Sequence, residues 1–233
     1  MGKQLYWHFL QENRTLGYGD NRAVQAGKTY RYEGEQPPRM CRRGMHASRR
    51  SLDALKYAPG PVVCRVDLLD AVAEDDDKTV AQGRKIIWMA DASRVLHEFA
   101  CLCAEDALRR MDIREGLCWA AIRIKRLWLV GKASDEELSA AWSAARSATW
   151  DVAAWSAARN VARDAAAWDV AWDVAGDAAW SAARDAAPGS AAWSAAREKQ
   201  NRRLTAMLNK LKGQTDTTVE SLLPYRVLLS EAN

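Results

Sequence analysis

Alternation of apolar and polar positions marks the first ninety residues as mixed structure, and helical periodicity takes over after them. Leu5 to Leu10 reads as a strand, followed by a turn at Gly17-Tyr-Gly19-Asp20-Asn21. Thr29 to Tyr32 reads as a second short strand, ending at Gly34 and the Pro37-Pro38 pair. Ser51 to Tyr57 predicts a short helix, closed by Ala58-Pro59-Gly60-Pro61. Val62 to Leu69 alternates as a half-buried strand, with Val63, Arg65 and Asp67 on one face and Val62, Cys64, Val66 and Leu68 on the other. Glu74 to Lys78 is an acidic turn, and Lys85 to Met89 a further strand.

From Asp91 the period changes. Asp91 or Ser93 can cap a helix whose Val95, Leu96, Phe99, Leu102, Cys103 and Ala107 share one face, with His97 on its polar, surface side. A second helix spans about 115 to 130 and stops at Gly131. Ser134-Asp-Glu-Glu137 is a capping box, which sets a boundary at 131–134.

Behind that box the chain is written in four-letter words, such as WDVA, WSAA and RDAA, from 139 to 199. Alanine is the best helix former, and Asp, Ser and Arg keep such a helix soluble. Trp and Arg four residues apart lie one above the other, so Trp142–Arg146, Trp155–Arg159, Trp180–Arg184 and Trp193–Arg197 can stack. At about 100° per residue, Trp142, Trp150, Trp168 and Trp172 fall within an arc of about 120°, while Trp155 points away. Gly and Pro are missing from 134 to 175, which allows one helix of about 40 residues, roughly 60 Å long. Gly176 marks a kink, Pro188-Gly189-Ser190 a break, and Ser190 caps a last helix to about Lys212 with a Leu204, Met207, Leu208, Leu211 stripe.

The expected fold class is therefore α+β. A small mixed sheet with helices occupies 1–131, an Ala/Trp-rich antiparallel helical hairpin or bundle 134–212, and a tail 213–233. Trp142, Trp150, Trp168, Trp172, Trp180 and Trp193 are expected to serve helix packing or a homo-oligomer interface.

Composition narrows the function classes. A net charge of +4 over 233 residues is too mild to argue for nucleic acid. No apolar run reaches about 18 residues, and Met1 to Asn13 carries no signal-peptide pattern, so no membrane is expected. The five cysteines, 41, 64, 101, 103 and 118, form no CxxC pair, which reads as reduced thiols in a cytoplasmic protein. Cys41, His46, Cys101 and Cys103 have spacing unlike that of structural zinc sites, and neither metal nor cofactor is expected. Paired carboxylates, a nucleophile elbow, a P-loop and a dinucleotide fingerprint are all missing, so no catalytic residue is assigned.

Candidate chemistry concentrates between Arg39 and Ser51, where five arginines and His46 meet no acid before Asp53. If Ser48 is the N-cap of the short helix, Arg49 and Arg50 sit in its first turn, where the helix dipole disfavours cations. A bound anion resolves that conflict, through free N–H groups and guanidinium forks. The anion or phosphate site so assigned comprises Arg42, Arg43, Gly44, His46, Ser48, Arg49 and Arg50, with Gly44 allowing close backbone approach. The alternative is a solvated basic turn, with His46 satisfied by a carbonyl. His8 reads as a core or edge histidine, and the basic start of the last helix, Arg197 to Arg203, lacks interleaved aromatics.

Residues 5–110 resemble a family of uncharacterised proteins of actinobacterial phages and prophages. The resemblance rests on Gly44-Met-His46-Ala-Ser48, Tyr57-Ala-Pro-Gly60 before the Val62–Val66 strand, Asp76-Asp77-Lys78, and Trp88-Met-Ala-Asp91. The repeat tract is similar to the tails of the same proteins and to segments labelled as bacteriocin-immunity proteins. A more distant similarity is to the ADP-ribosyltransferase fold, in which His8, His46 and Ala54–Tyr57 would occupy motif positions; His46 stands where that fold has a tyrosine, and its glutamate has no counterpart. The phage resemblance implies a phage or host-conflict setting. With the anion site it leads to the expectation of a non-enzymatic phage accessory protein that binds a host protein or a phosphate-bearing, nucleotide-like ligand and counters a host defence. An ADP-ribosyltransferase-like enzyme and an immunity protein that neutralises a toxin are the alternatives.

Overall fold

The computed structural model describes residues 3–17, 19–110, 112, 114, 116–148 and 191–213. Its strands are β1 (Tyr6–Leu10), β2 (Thr15–Gly17), β3 (Asp20–Ala23), β4 (Thr29–Arg31), β5 (Met45–Ala47), β6 (Val62–Glu74) and β7 (Thr79–Asp91). Its helices are α1 (Ser51–Leu55), α2 (Ser93–Arg110), α3 (Gly116–Trp128), α4 (Asp135–Ala148) and α5 (Ala191–Asn209). The α+β class holds. The sheet, expected to be mixed, is antiparallel in every described pairing; β2–β3 and β6–β7 are hairpins, while β1, β4 and β5 reach their partners through long connections.

A long β6–β7 hairpin forms the spine, running from the Val62–Asp91 pair to the Glu74–Thr79 pair. It is longer than the two segments read from the sequence, because the tip pairs through small and charged residues that carry no apolar signal. On one side β1 pairs with β6, His8 lying opposite Cys64. On the other side β7 pairs with β5 near its start and with β4 further along, Tyr30 lying opposite Arg84. The free edge of β1 then meets the chain just after β5, where Trp7 and Ser48 exchange backbone hydrogen bonds of 2.7 and 2.9 Å. That pair joins β5 to β1 and curls the sheet into a small barrel-like curve.

Both faces of the sheet are therefore covered, and the Val62–Leu69 strand is not half-buried as its alternation suggests. Inside the curl, Leu10, Val62, Cys64, Val66, Ile86, Tyr30 and Met45 form one apolar cluster. The outer face carries the larger core: Trp7, Phe9 and Val63 from the sheet, Leu52 and Leu55 from α1, and Leu96, Phe99, Cys103 and Leu108 from α2. Asp91 caps α2 by accepting from the Ser93 amide at 2.7 Å. His97 is a correction: at 7 % exposed it is buried, edge-on to Trp128 at 5.8 Å.

The capping box holds as read, with the Ser134 amide donating to Glu137 at 2.7 Å and the Glu137 amide to Ser134 Oγ at 3.2 Å. Core packing nevertheless crosses the 131–134 boundary. Ala145 of α4 and Leu204 and Leu208 of α5 lie in the same cluster as Phe9 and Phe99. Arg203 of α5 also donates to Asp106 of α2 at 2.9 Å. The Trp193–Arg197 stack is present, guanidinium to ring centre 6.0 Å. Trp142 lies in α4, half-buried. Trp150, Trp155, Trp168, Trp172 and Trp180, the helix continuity to 175, the Gly176 kink, the Pro188–Ser190 break and the tail beyond 213 fall outside the described residues.

Candidate functional site

The alternation of β1 and β7 sets up the site. Tyr6, His8 and Leu10 share a face, so a strand that turns Leu10 into the inner cluster turns His8 inward too. Likewise Arg84 lies two residues before Ile86 and points the same way. Arg84 is 2 % exposed, donates from Nη1 to the His46 carbonyl at 3.0 Å, and its Nε has no partner. No described carboxylate pairs with it. Burial, opposed only by Cys64, pulls its pKa down to about 10.

Arg84 lies at the base of a cleft of about 850 Å³, lined among others by His8, His46, Tyr57 and Lys78. Arg42, Arg43, Gly44 and Ser48 also line it, so five of the seven residues assigned from sequence converge there. The basic turn is shaped by the backbone: Arg39 and Arg43 exchange hydrogen bonds of 2.8 and 3.0 Å, and Cys41 adopts a left-handed φ of 59°. Arg43 Nε donates to the Pro37 carbonyl at 2.8 Å. Gly44 has φ 110°, and a Cβ there would stand 2.7 Å from Pro38 Cβ and 2.8 Å from Val80 Cγ2. The close approach it permits is thus to the protein's own wall.

Arg49 and Arg50 turn elsewhere. Arg49 pairs with Glu74 at 2.7 Å, and Arg50 with Glu198 of α5 at 3.1 Å. The helix-cap reasoning is corrected with them: Arg50 is the N-cap of α1, and Ser48, 2 % exposed, is spent closing the sheet onto Trp7. No cation sits in the first turn, so the dipole conflict vanishes, and a helix of five residues offers no anion site of its own.

Charge in the cleft is lopsided. Asp20 and Glu33, the lining carboxylates, both grip Arg22, Asp20 at 2.6 Å. Arg42, Arg43, Lys78 and Arg84 make no ion pair among the described residues. Burial, followed by the charge of Arg84 and the neighbouring His46, drives the His8 pKa well below its ordinary value. Burial also lowers His46, helped by Lys78 and Arg84 and opposed by its hydrogen bond to Gly44. Both rings are therefore neutral near pH 7. The Gly44 carbonyl, 3.1 Å away, can only accept, so Nδ1 of neutral His46 carries the proton. Tyr57, at the end of α1, donates to Asp77 at 2.6 Å, and the Lys78 ammonium lies 4.0 Å over its ring.

Residues 12–98 match a family model described as a domain of unknown function, DUF7666. The matched stretch holds all the cleft-lining residues except Trp7 and His8. No curated protein and no solved structure matches the chain.

Arg84 and Lys78 were not read as site residues from the sequence, and His8 and Tyr57 entered only through the distant ADP-ribosyltransferase likeness, outside the assigned anion site. For Arg84 and His8 the signal was there, as polar residues in register with Ile86 and Leu10 on the apolar face of a strand. Cys41, exposed at the turn, and the buried Cys64, Cys101, Cys103 and Cys118 are not joined in disulfides. Among the described residues no group of three or more His, Cys, Asp or Glu could hold a metal.

Proposed function

We propose that the cleft binds a phosphate-bearing small molecule, nucleotide-like in size, and holds it without turnover. The observation that carries this reading is Arg84: a guanidinium taken out of water with no carboxylate beside it. A buried cation without a counter-charge costs several kcal/mol, and proteins supply a partner or leave the place for one. A phosphate suits the surroundings, since Arg42, Arg43 and Lys78 add cations and two neutral histidines add ring groups without repulsion. The Tyr57 ring, 40 % exposed at the cleft, gives an attached base or sugar an aromatic surface. The reading of binding without turnover is supported by the carboxylates, since Asp20 and Glu33, the two that line the cleft, both pair with Arg22.

In a phage accessory protein, such a site would sequester a nucleotide signal of a host defence. Among the described residues no helix is long and apolar enough to cross a membrane. Titration calorimetry with adenosine monophosphate, inorganic pyrophosphate and adenosine tests the reading. The two phosphate compounds are expected to bind and adenosine to give no heat; equal silence from all three would sink it.

A further inference from the structure

The short helix α1 lacks a cap of its own. Its N-cap, Arg50, makes no side-chain hydrogen bond to the first turn. The missing acceptor comes from the far end of the chain. Asn201 of α5 accepts from the Leu52 amide at 3.2 Å and from Ser51 Oγ at 3.3 Å. Ser51 Oγ, fully buried, also meets Thr205 Oγ1 at 2.8 Å. Around this polar core Arg50 reaches Glu198 at 3.1 Å, and Arg197 lies 3.8 Å from Asp53. Below it Leu52 and Leu55 share a cluster with Leu204 and Leu208.

The opposite flank of the same helix belongs to the cleft. Ala54 and Tyr57 line it, and Tyr57 together with Lys56 grips Asp77, beside the lining Lys78. A five-residue helix is too short to hold its own shape, since nucleation alone is unfavourable and tertiary contacts must supply the stability. What α5 does to the first turn of α1 is therefore felt by the cleft wall at its last turn.

We infer that Asn201 is a positioning residue of the cleft, a cap supplied from beyond the repeat tract that sets where α1 presents Tyr57. The ligand-binding part of this inference rests on the phosphate reading above. It makes the last helix part of the binding device.

The test compares the full chain with Asn201→Leu, which removes the acceptor, and Asn201→Asp, which keeps it. Two quantities are read: calorimetric affinity for inorganic pyrophosphate, and the ligand-free NMR signals of the Leu52 amide and the Tyr57 ring. Asn201→Leu is expected to speed Leu52 amide exchange, shift the Tyr57 ring signals and weaken pyrophosphate about tenfold, the scale of a lost helix cap. Asn201→Asp is expected to restore all three. Faster Leu52 exchange with unmoved Tyr57 signals and unchanged affinity overturns the inference. If the unaltered protein binds no pyrophosphate, the phosphate reading fails by itself, and the Tyr57 signals still decide the positioning role. Asn201→Ala takes the place of Asn201→Leu if the larger side chain prevents folding.

Discussion

Replacing Arg84 by Met should separate stability from binding, because the two respond in opposite directions. Burial brings the guanidinium from its ordinary range, more than two units higher, down to about 10. At about 1.4 kcal/mol per tenfold, holding the charge costs the folded state about 3 kcal/mol. The sign is that of a depressed cation: the unfolded chain binds the proton more tightly, so the penalty is complete at every pH below about 10 and is relieved only above it. Against this stands one charge-assisted hydrogen bond to the His46 carbonyl, worth roughly 1.5–3 kcal/mol. Methionine fills much of the same volume and carries no charge. In anion-free buffer at pH 7, Arg84→Met is therefore expected to be as stable as the unaltered protein or more stable by up to about 2 kcal/mol. Phosphate at a hundred times its dissociation constant should stabilise the unaltered protein by about 2.7 kcal/mol. The variant should show only the general salting effect, and so serves as its control. Urea unfolding followed by tryptophan fluorescence, with and without pyrophosphate, measures both. A variant that loses more than about 3 kcal/mol without anion, or that keeps the full response to pyrophosphate, would show that the guanidinium is a structural strut.

Three further outcomes follow from burial and backbone. Lys125, 1 % exposed and 3.9 Å over the Trp128 ring, is pulled down to about 8 by burial. That costs about 3 kcal/mol at neutral pH, of which the ring returns up to about 2 kcal/mol, so Lys125→Met should gain about 1 kcal/mol at pH 7. The gain should shrink as pH rises from 8 to 10.5, where the unfolded chain still holds its proton; a pH-independent difference in urea midpoints would refute it. His97 is held down to about 3 by burial and then by Lys125, so stability should fall as pH drops from 6.5 toward 3, by up to about 5 kcal/mol. Acid titration of His97→Phe, which keeps a ring against Trp128, should show a flatter profile, and an identical one would count against the assignment. Gly44→Ala forces a side chain into a left-handed position against Pro38 and Val80, and should cost roughly 2–4 kcal/mol by thermal melting monitored by circular dichroism. A melting temperature within a degree of the unaltered protein would contradict that geometry.

Local sequence carried most of the elements. The capping box at Ser134, the Asp91 cap of α2, the β1 alternation and the Leu204–Leu208 stripe are short-range signals, set by hydrogen bonds and faces within a few residues. The basic segment around His46 was also legible, and Arg42, Arg43, Gly44 and His46 do reach one cleft. No helix cap brings them there. Ser48 lies where a cap could stand, but its backbone is claimed by Trp7, 41 residues earlier, and no local rule sees that pairing. Arg49 and Arg50 were lost to the site for the same reason, since Glu74 and Glu198 are distant in sequence.

By itself, then, the sequence determined the helices, the apolar stretches of β1, β4, β6 and β7, and that one basic turn is short of acids, because propensity, capping and alternation act over a few bonds; the short β2, β3 and β5 and the hairpin tip carry too little of that signal. Only the tertiary structure decided which charges stay unpaired. Closing the sheet from β5 to β1 buried Arg84 beside His8 and His46, and docking α5 on α1 took Arg50 away and put Asn201 in its place. Those choices depend on which distant carboxylates come within about 4 Å, and a chain of residues encodes that only through its fold.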